Sequence, residues 1–275
     1  MLGADIGSWR LLDVCNDLVV AACSSPNQPH YLVTGELPGN GEEAQIEWRK
    51  LEPVPVTLTD IRWSIFSISP PVTPPLSAST ADGLDYECYL LESAECRQPD
   101  TKPPLAVYIH GGPHSVLPTE FIPYLAGLCR CGYSVLAVNY RGSTGFGQDG
   151  IESLLGKVGT QDVRDVQNAV EKVLDMDVVD KDRVVVIGGS HGGFLTAHLI
   201  GQFPDFYKAA VCRNPVIDLC SMFGTSDIPD WVFTEGGLTF THAQIANPAI
   251  YEELWKRSPI RYVNQVICVL RLAVT

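Results

Sequence analysis

The sequence predicts a layered α/β domain built on a mostly parallel sheet, and three observations carry that expectation. PLAVYIH, YSVLAVNY, DRVVVIGG and YKAAVCRNP are short, continuous apolar runs, the pattern of strands buried on both faces. Helical patterns of about 10–15 residues lie between them, which is the spacing of β–α units. One stretch, VVVIGGSHGGFLTAHLI, passes from a β-branched run through a glycine-flanked serine into a helical run.

The elements follow in order. Residues 1–65 read differently from the rest: WRLLDVCND, LVVAACSSP and HYLVTGELPG are short β-like runs divided by Asn-Asp, Pro-Asn and Pro-Gly-Asn turn signals. A meander of this kind does not bury both faces by itself and suits one blade of a larger all-β array. No second copy follows, so the expectation is that the rest of such an array lies upstream. Residues 66–83, FSISPPVTPPLSASTADG, are rich in Pro, Ser and Thr and read as a linker. The α/β pattern occupies residues 84–275. LDYECYLLE alternates like a half-exposed strand, and FIPYLAGLCRCG reads as a helix closed by Gly132. In QDVRDVQNAVEKVLDM, Val163, Val166, Ala169, Val170, Val173 and Leu174 recur at helical spacing, with Thr160 placed as N-cap.

Composition bounds the function. The chain has 275 residues, 45% of them hydrophobic and 19% charged, which is that of a globular protein with a sizeable core. A net charge of −13 without a Lys/Arg cluster argues against nucleic-acid binding. The apolar runs are strand-sized, short of the roughly 20 residues that span a bilayer, and the N-terminus does not read as a signal peptide. Nine cysteines without CxxC spacing read as reduced thiols of a cytoplasmic protein. The scattered histidines form no HExxH pattern, so neither a metal nor another cofactor is expected.

Gly188-Gly189-Ser190-His191-Gly192 matches G-x-S-x-G, the sharp strand-to-helix turn that raises a serine oxygen above an α/β-hydrolase sheet. The alternative is a plain glycine-rich turn, and the strand before and helix after favour the nucleophile. Such sites also need backbone N–H donors aimed at the developing oxyanion, one from the residue after the serine, here His191. The loop after the third strand supplies the other, and HGGP stands there after PLAVYI, with Gly112 the first candidate and Gly111 the next; taken alone HGGP reads equally as a tight turn, and its place before G-x-S-x-G favours the donor role. The His191 ring is adjacent to Ser190 in sequence but points away on such a turn, so its N–H is the useful part. His198 reads as packed or exposed. Arg141, after a strand end, would orient a substrate carbonyl or carboxylate, or form a surface ion pair. Asn214 would bond substrate or a loop, or simply form an Asn-Pro turn. Asp227, Asp230 and Trp231 would edge a pocket or lie in a capped loop.

The combination HGGPH, NYRGSTGFGQ, GGSHGGFL, CRNPV, SDIPDW and KRSPIRY resembles the acylaminoacyl-peptidase branch of the prolyl oligopeptidase family, and the likeness runs through most of the chain. It implies a cytosolic serine exopeptidase, acting without cofactor, that releases an N-acylated, typically N-acetylated, amino acid from short blocked peptides. It also implies an α/β-hydrolase domain paired with a β-propeller, residues 1–65 resembling its last blade, and homotetramers among vertebrate members. Ser190 matches the nucleophile, and His191 with the HGGP glycines matches the oxyanion hole. The family places its triad Asp after the strand that follows SPIRY, and its His later still. Here that strand reads VICVLRLAVT, and neither motif follows. The expectation is an internal or C-terminally truncated portion of such a peptidase, inactive alone. The other reading is a non-catalytic fragment or pseudo-enzyme that acts by binding or assembly.

Overall fold

The protein was analysed as a computed structural model that describes residues 7–70, 84–93, 101–241 and 247–273. The N-terminal runs form the strands β1 (Ser8–Cys15), β2 (Leu18–Ser25), β3 (Gln28–Glu36) and β4 (Arg49–Lys50), paired antiparallel in that order. Ala21, Cys23, Tyr31 and Val33 make a small core on one face, with Trp48 and Val54 against it. Trp9, Leu11, Leu12 and Val14 of β1, the edge strand of this four-stranded sheet, are exposed.

The second sheet has seven strands. β5 (Ile61–Ile68) and β6 (Tyr86–Ser93) are antiparallel to each other, and β6 is antiparallel to β8 (Ser134–Asn139). From β8 onward the sheet is parallel, through β7 (Pro104–Ile109), β9 (Asp180–Gly189) and β10 (Ala209–Arg213) to β11 (Val269–Ala273) at the edge. The predicted parallel runs all become strands, and Leu105, Val107, Val135, Leu136, Ala137, Val138, Val184 and Val186 are fully buried between helices.

β5 corrects the boundary near residue 65. Residues 61–68 pair along their whole length with β6, so the end of the first segment and the start of the expected linker belong to this sheet. The Ser/Pro/Thr-rich run overlaps a strand because FSI continues the alternation of IRWSI before the prolines begin. Residues 71–83 lie outside the described residues. The half-exposed reading of β6 is also corrected. Tyr86, Cys88, Tyr89, Leu90 and Leu91 are each at most 2% exposed. The strand sits inside the sheet between β5 and β8, and the Tyr86 hydroxyl donates to the Asp165 carbonyl at 2.6 Å.

The connecting helices are α1 (Pro123–Arg130), α2 (Gln148–Glu152), α3 (Gln161–Asp175), α4 (His191–Gln202), α5 (Leu219–Thr225), α6 (Pro229–Glu235) and α7 (Pro248–Arg257). Gly132 follows α1 at φ 95, as a helix-ending glycine does. The apolar stripe of α3 is buried as its periodicity predicts. Its N-terminus differs from expectation: the Thr160 hydroxyl donates to the Lys157 carbonyl at 2.7 Å and caps nothing. The Asp162 carboxylate instead accepts from the N–H groups of Gly159 and Val163 at 2.8 and 2.9 Å. Among the described residues no helix is long and apolar enough to cross a membrane.

Ile61 is 1% exposed and packs with Tyr89, Leu91, Leu125 and Val135 of the large sheet and α1, although it lies in the segment first read as part of the meander. Ile61→Ala is therefore expected to cost about 2–5 kcal/mol. The exposed Val56→Ala is expected to stay within about 0.5 kcal/mol. Urea midpoints at constant m-value measure both.

Candidate active site

Strand register builds the site. In the β7–β9 pairing Ile109 lies opposite Gly188, so the HGGP loop and the GGS turn leave the sheet at the same level. Ser190 follows β9 and precedes α4 with φ 55 and ψ −122, a backbone region that costs a non-glycine residue roughly 1–3 kcal/mol. Neighbours hold it there: its N–H donates to the Arg213 carbonyl at 2.9 Å, and its carbonyl accepts the Phe194 N–H at 3.0 Å. A side chain at Gly188 would run into the Gly192 carbonyl, so the turn closes only with glycine at that position.

Gly111 makes the close approach across the cleft. A β-carbon built on it would lie 2.9 Å from the Gly189 carbonyl oxygen, 3.2 Å from the Ser190 β-carbon and 3.7 Å from the His191 nitrogen. Gly112 has φ 128, and a β-carbon there would meet the His114 nitrogen at 2.6 Å. Of the two loop glycines, Gly111 is the one in contact with the serine turn, and Gly112 packs against the backbone of His114 and Ser115.

The loop is braced from below by neutral polar groups. His110 donates from Nδ1 to the Gly111 carbonyl at 2.7 Å, accepts at Nε2 from the Ser143 hydroxyl at 2.8 Å, and stacks on Tyr140 at 4.5 Å. Burial lowers the His110 pKa to about 4, so the ring is neutral at physiological pH. Burial also raises the Tyr140 phenol well above its ordinary value, with the carboxylates of Asp162 and Glu235 adding to the effect. Its hydroxyl stays a donor, 3.2 Å from the His110 carbonyl and 3.3 Å from that of Pro113.

The His191 ring turns inward, away from Ser190. It is 1% exposed, its Nε2 lies 3.0 Å from Asp162 Oδ2, and it packs against Phe194 and the edge of Trp231. His198 is packed rather than exposed: Nε2 donates to the Arg257 carbonyl at 2.9 Å, and burial lowers its pKa to about 4. No histidine ring is hydrogen-bonded to the Ser190 hydroxyl among the described residues, and His242 lies outside them. No group of three His, Cys, Asp or Glu side chains suited to a metal ion occurs among the described residues.

Arg141 forms an ion pair, but not at the surface. Its Nε and Nη2 meet the Asp165 carboxylate at 2.9 and 2.6 Å, with side chains 9% and 0% exposed. Burial nevertheless holds the Asp165 pKa up at about 6, with the arginine pulling the other way. Asn214 directly follows β10 with φ 43, and its N–H donates to the Ala273 carbonyl at 2.7 Å, so it makes a left-handed turn at the carboxyl edge. Asp227 and Asp230 are exposed, the latter in the first turn of α6, and only Trp231 faces inward.

Sequence reasoning missed Asp162, Asp165 and Glu235, all fully or nearly buried. A signal existed for the first two. They fall among Val163, Val166 and Ala169 on the stripe of α3 that faces the sheet, where an unpaired carboxylate is costly. Glu235 gave none, because its partner lies on a loop far away in the chain.

A serine at positive φ on a strand–turn–helix corner, with a glycine loop packed against it at the carboxyl edge of a parallel sheet, has the backbone geometry that an α/β-hydrolase fold uses to present a nucleophile. The sequence model of the prolyl oligopeptidase family matches residues 120–271, and the chain belongs to that family. It is 47% identical over 268 residues to the acylamino-acid-releasing enzyme of Homo sapiens, covering 96% of this chain and 36% of that protein. The enzyme of the same name from Arabidopsis thaliana is 37% identical over 271 residues, covering 94% and 35%. The chain thus spans about a third of the length of these curated relatives. Among solved structures, the Pyrococcus horikoshii acylaminoacyl peptidase matches with a TM-score of 0.75 at 22% identity, covering 94% of this chain and 38% of its own. A Mycobacterium tuberculosis puromycin-hydrolyzing peptidase matches at 0.79 and 24%, covering 99% and 39%. At these identities the two structures speak for the fold.

Four variants test the geometry. Gly111→Ala forces apart the ends of β7 and β9 and is expected to cost about 1–3 kcal/mol. Gly127→Ala, in α1 with nothing within 4 Å of the added carbon, is expected to stabilise by about 0.5–1 kcal/mol. Arg141→Met strands Asp165 in the core at an expected cost of about 3–5 kcal/mol, most of it recovered in the Arg141→Met/Asp165→Leu double variant. Denaturant titration of the four proteins checks these values.

Proposed function

We propose that this chain carries the nucleophile and oxyanion hole of a serine exopeptidase that cleaves the first peptide bond of short N-acylated peptides and releases an N-acyl, typically N-acetyl, amino acid. The observation that carries the reading is Ser190 at φ 55 with the Gly111 backbone packed against its side chain. The Ser190 hydroxyl attacks the carbonyl of the acylated residue. Its oxyanion is received by the N–H of His191 and an N–H of the HGGP loop, Gly112 first and Gly111 next. The substrate class is drawn from the acylamino-acid-releasing enzymes, which are this chain's relatives at 37–47% identity. Arg141 acts on substrate only indirectly, by holding the NYRG turn through Asp165, and Asn214 shapes the opposite rim.

Attack needs a base within about 3 Å of the hydroxyl, and none is placed there among the described residues. Serine peptidases that lose their histidine lose roughly a factor of 10⁶ in kcat while the oxyanion hole keeps a residual effect. Ser190 in this chain is therefore read as poised but slow. Two further parts of the proposal are association and location. Leu11, Leu12 and Val14 on β1 and Val269, Leu270 and Leu272 on β11 are exposed on edge strands, the kind of surface that self-association covers. Cys15, Cys88, Cys131, Cys212, Cys220 and Cys268 are free thiols, which suits a reducing, cytoplasmic setting.

The test exposes the 275-residue chain and its Ser190→Ala variant to a fluorophosphonate and to an N-acetyl-alanyl anilide. Slow labelling confined to Ser190 is expected, with anilide turnover about 10⁶-fold below that of a serine peptidase with its histidine in place. Equal labelling of the alanine variant overturns the nucleophile assignment. Ser190-dependent turnover within about tenfold of a longer relative would instead show that another residue supplies the base.

A further inference from the structure

His110 and His114 bracket the glycines of the loop that faces Ser190, and they face different partners. His110 faces one acceptor and one hydroxyl and is satisfied as a neutral ring. His114 faces two acceptors. Its Nδ1 lies 2.8 Å from the Gly142 carbonyl oxygen, and its Nε2 lies 3.4 Å from Glu235 Oε1. A carbonyl only accepts, so Nδ1 carries a hydrogen. Attraction between Nε2 and a carboxylate oxygen needs a second proton between them. The 3.4 Å approach of Nε2 to the Glu235 carboxylate is an ion pair when Nε2 carries that proton as well.

Glu235 has no other cation among the described residues. Its side chain is 3% exposed, its Oε2 has no hydrogen-bond partner, and it stands at the end of α6 where its own carbonyl accepts the Gly156 N–H at 3.0 Å. Of the ionisable groups around the loop, Tyr140 and His110 are neutral, His191 is committed to Asp162, and Arg141 is committed to Asp165. His114 is what balances this carboxylate. The loop depends on the contact at both ends, since Ser115 accepts the Thr144 N–H at 2.8 Å from the same NYRGST turn that receives His114.

We propose that Glu235 is a positioning residue that acts through His114, and that the proton held between them locks the HGGPH loop against Ser190 and releases it when lost. The catalytic meaning of the lock rests on Ser190 being the nucleophile, whereas the lock itself does not. The Glu235 contact raises the His114 pKa above its ordinary 6.5, partly opposed by burial and supported by the Gly142 carbonyl. A raised histidine pKa contributes stability that is complete below the unfolded value, about 6.5, and is lost as pH rises through the folded value. The loop is locked on the acid and neutral side and loosens on the alkaline side.

Ring and backbone ¹⁵N spectra of the 275-residue chain, recorded from about pH 5 to about pH 9, test this without any turnover. His114 is expected to carry both ring protons at pH near 6.5, with the Gly111 and Gly112 amide signals moving at the same midpoint. In Glu235→Gln the midpoint is expected at or below about 6.5, with those two amides losing about tenfold or more in exchange protection at neutral pH. A neutral His114 ring in the unsubstituted chain overturns the proposal. So does a lowered midpoint in Glu235→Gln that leaves the glycine amides unmoved. Should Glu235→Gln not fold, the unsubstituted titration decides, by whether ring and glycine signals share a midpoint. Fluorophosphonate labelling is expected to decline on the alkaline side with that midpoint. Absence of Ser190 labelling at every pH, with the shared midpoint intact, counts against the nucleophile assignment alone.

Discussion

The structure depends on how closely two strand ends approach. Ile109 and Gly188 are opposed across β7 and β9, and the chain leaves both strands into turns that touch. That contact leaves no room for a side chain at Gly111 and drives Ser190 into a backbone region that proteins seldom use. A strained serine persists only when its surroundings over-determine it. Here the parallel ladder to β10, the start of α4 and the HGGP loop all hold it from different sides.

Those surroundings are held in turn by buried carboxylates. Asp162 takes the His191 ring and two N–H groups at the start of α3, Asp165 takes Arg141 one turn later, and Glu235 at the end of α6 takes His114. The Asp165 and Glu235 ties each join a helix to a loop at the carboxyl edge of the sheet, and the Asp162 tie joins α3 to the first residue of α4. Buried polar pairs of this kind add little net stability over apolar packing, because desolvation offsets most of the attraction. What they confer is direction: each pair is satisfied in one arrangement of helix and loop, and breaking it leaves a charge stranded.

The N-terminal meander belongs to the same body through a few specific contacts. Asn27 accepts from the Trp63 indole at 3.2 Å and donates to the Ile61 carbonyl at 3.2 Å, and Asp60 makes a two-point pair with Arg130 of α1. The four-stranded sheet is otherwise half covered, with apolar residues open on β1.

The sequence by itself determined the strands, the main helices, the serine turn and the loop that faces it. Those features are written in local periodicity and in glycine, whose conformational freedom shows wherever a backbone must turn sharply or come close. It misjudged β6 because alternation reports a strand's own pattern and not what packs on its outer face, and it set the linker boundary inside β5 because turn-rich composition overlaps the end of that strand. Only the tertiary structure decided that Arg141 is buried with Asp165, that His191 turns away to Asp162, and that Glu235 meets His114. Those pairs join residues 24 to 121 positions apart, and a charge carries no mark in sequence of the partner that will neutralise it. Partner choice follows from burial, and burial exists only once the sheet has closed its layers.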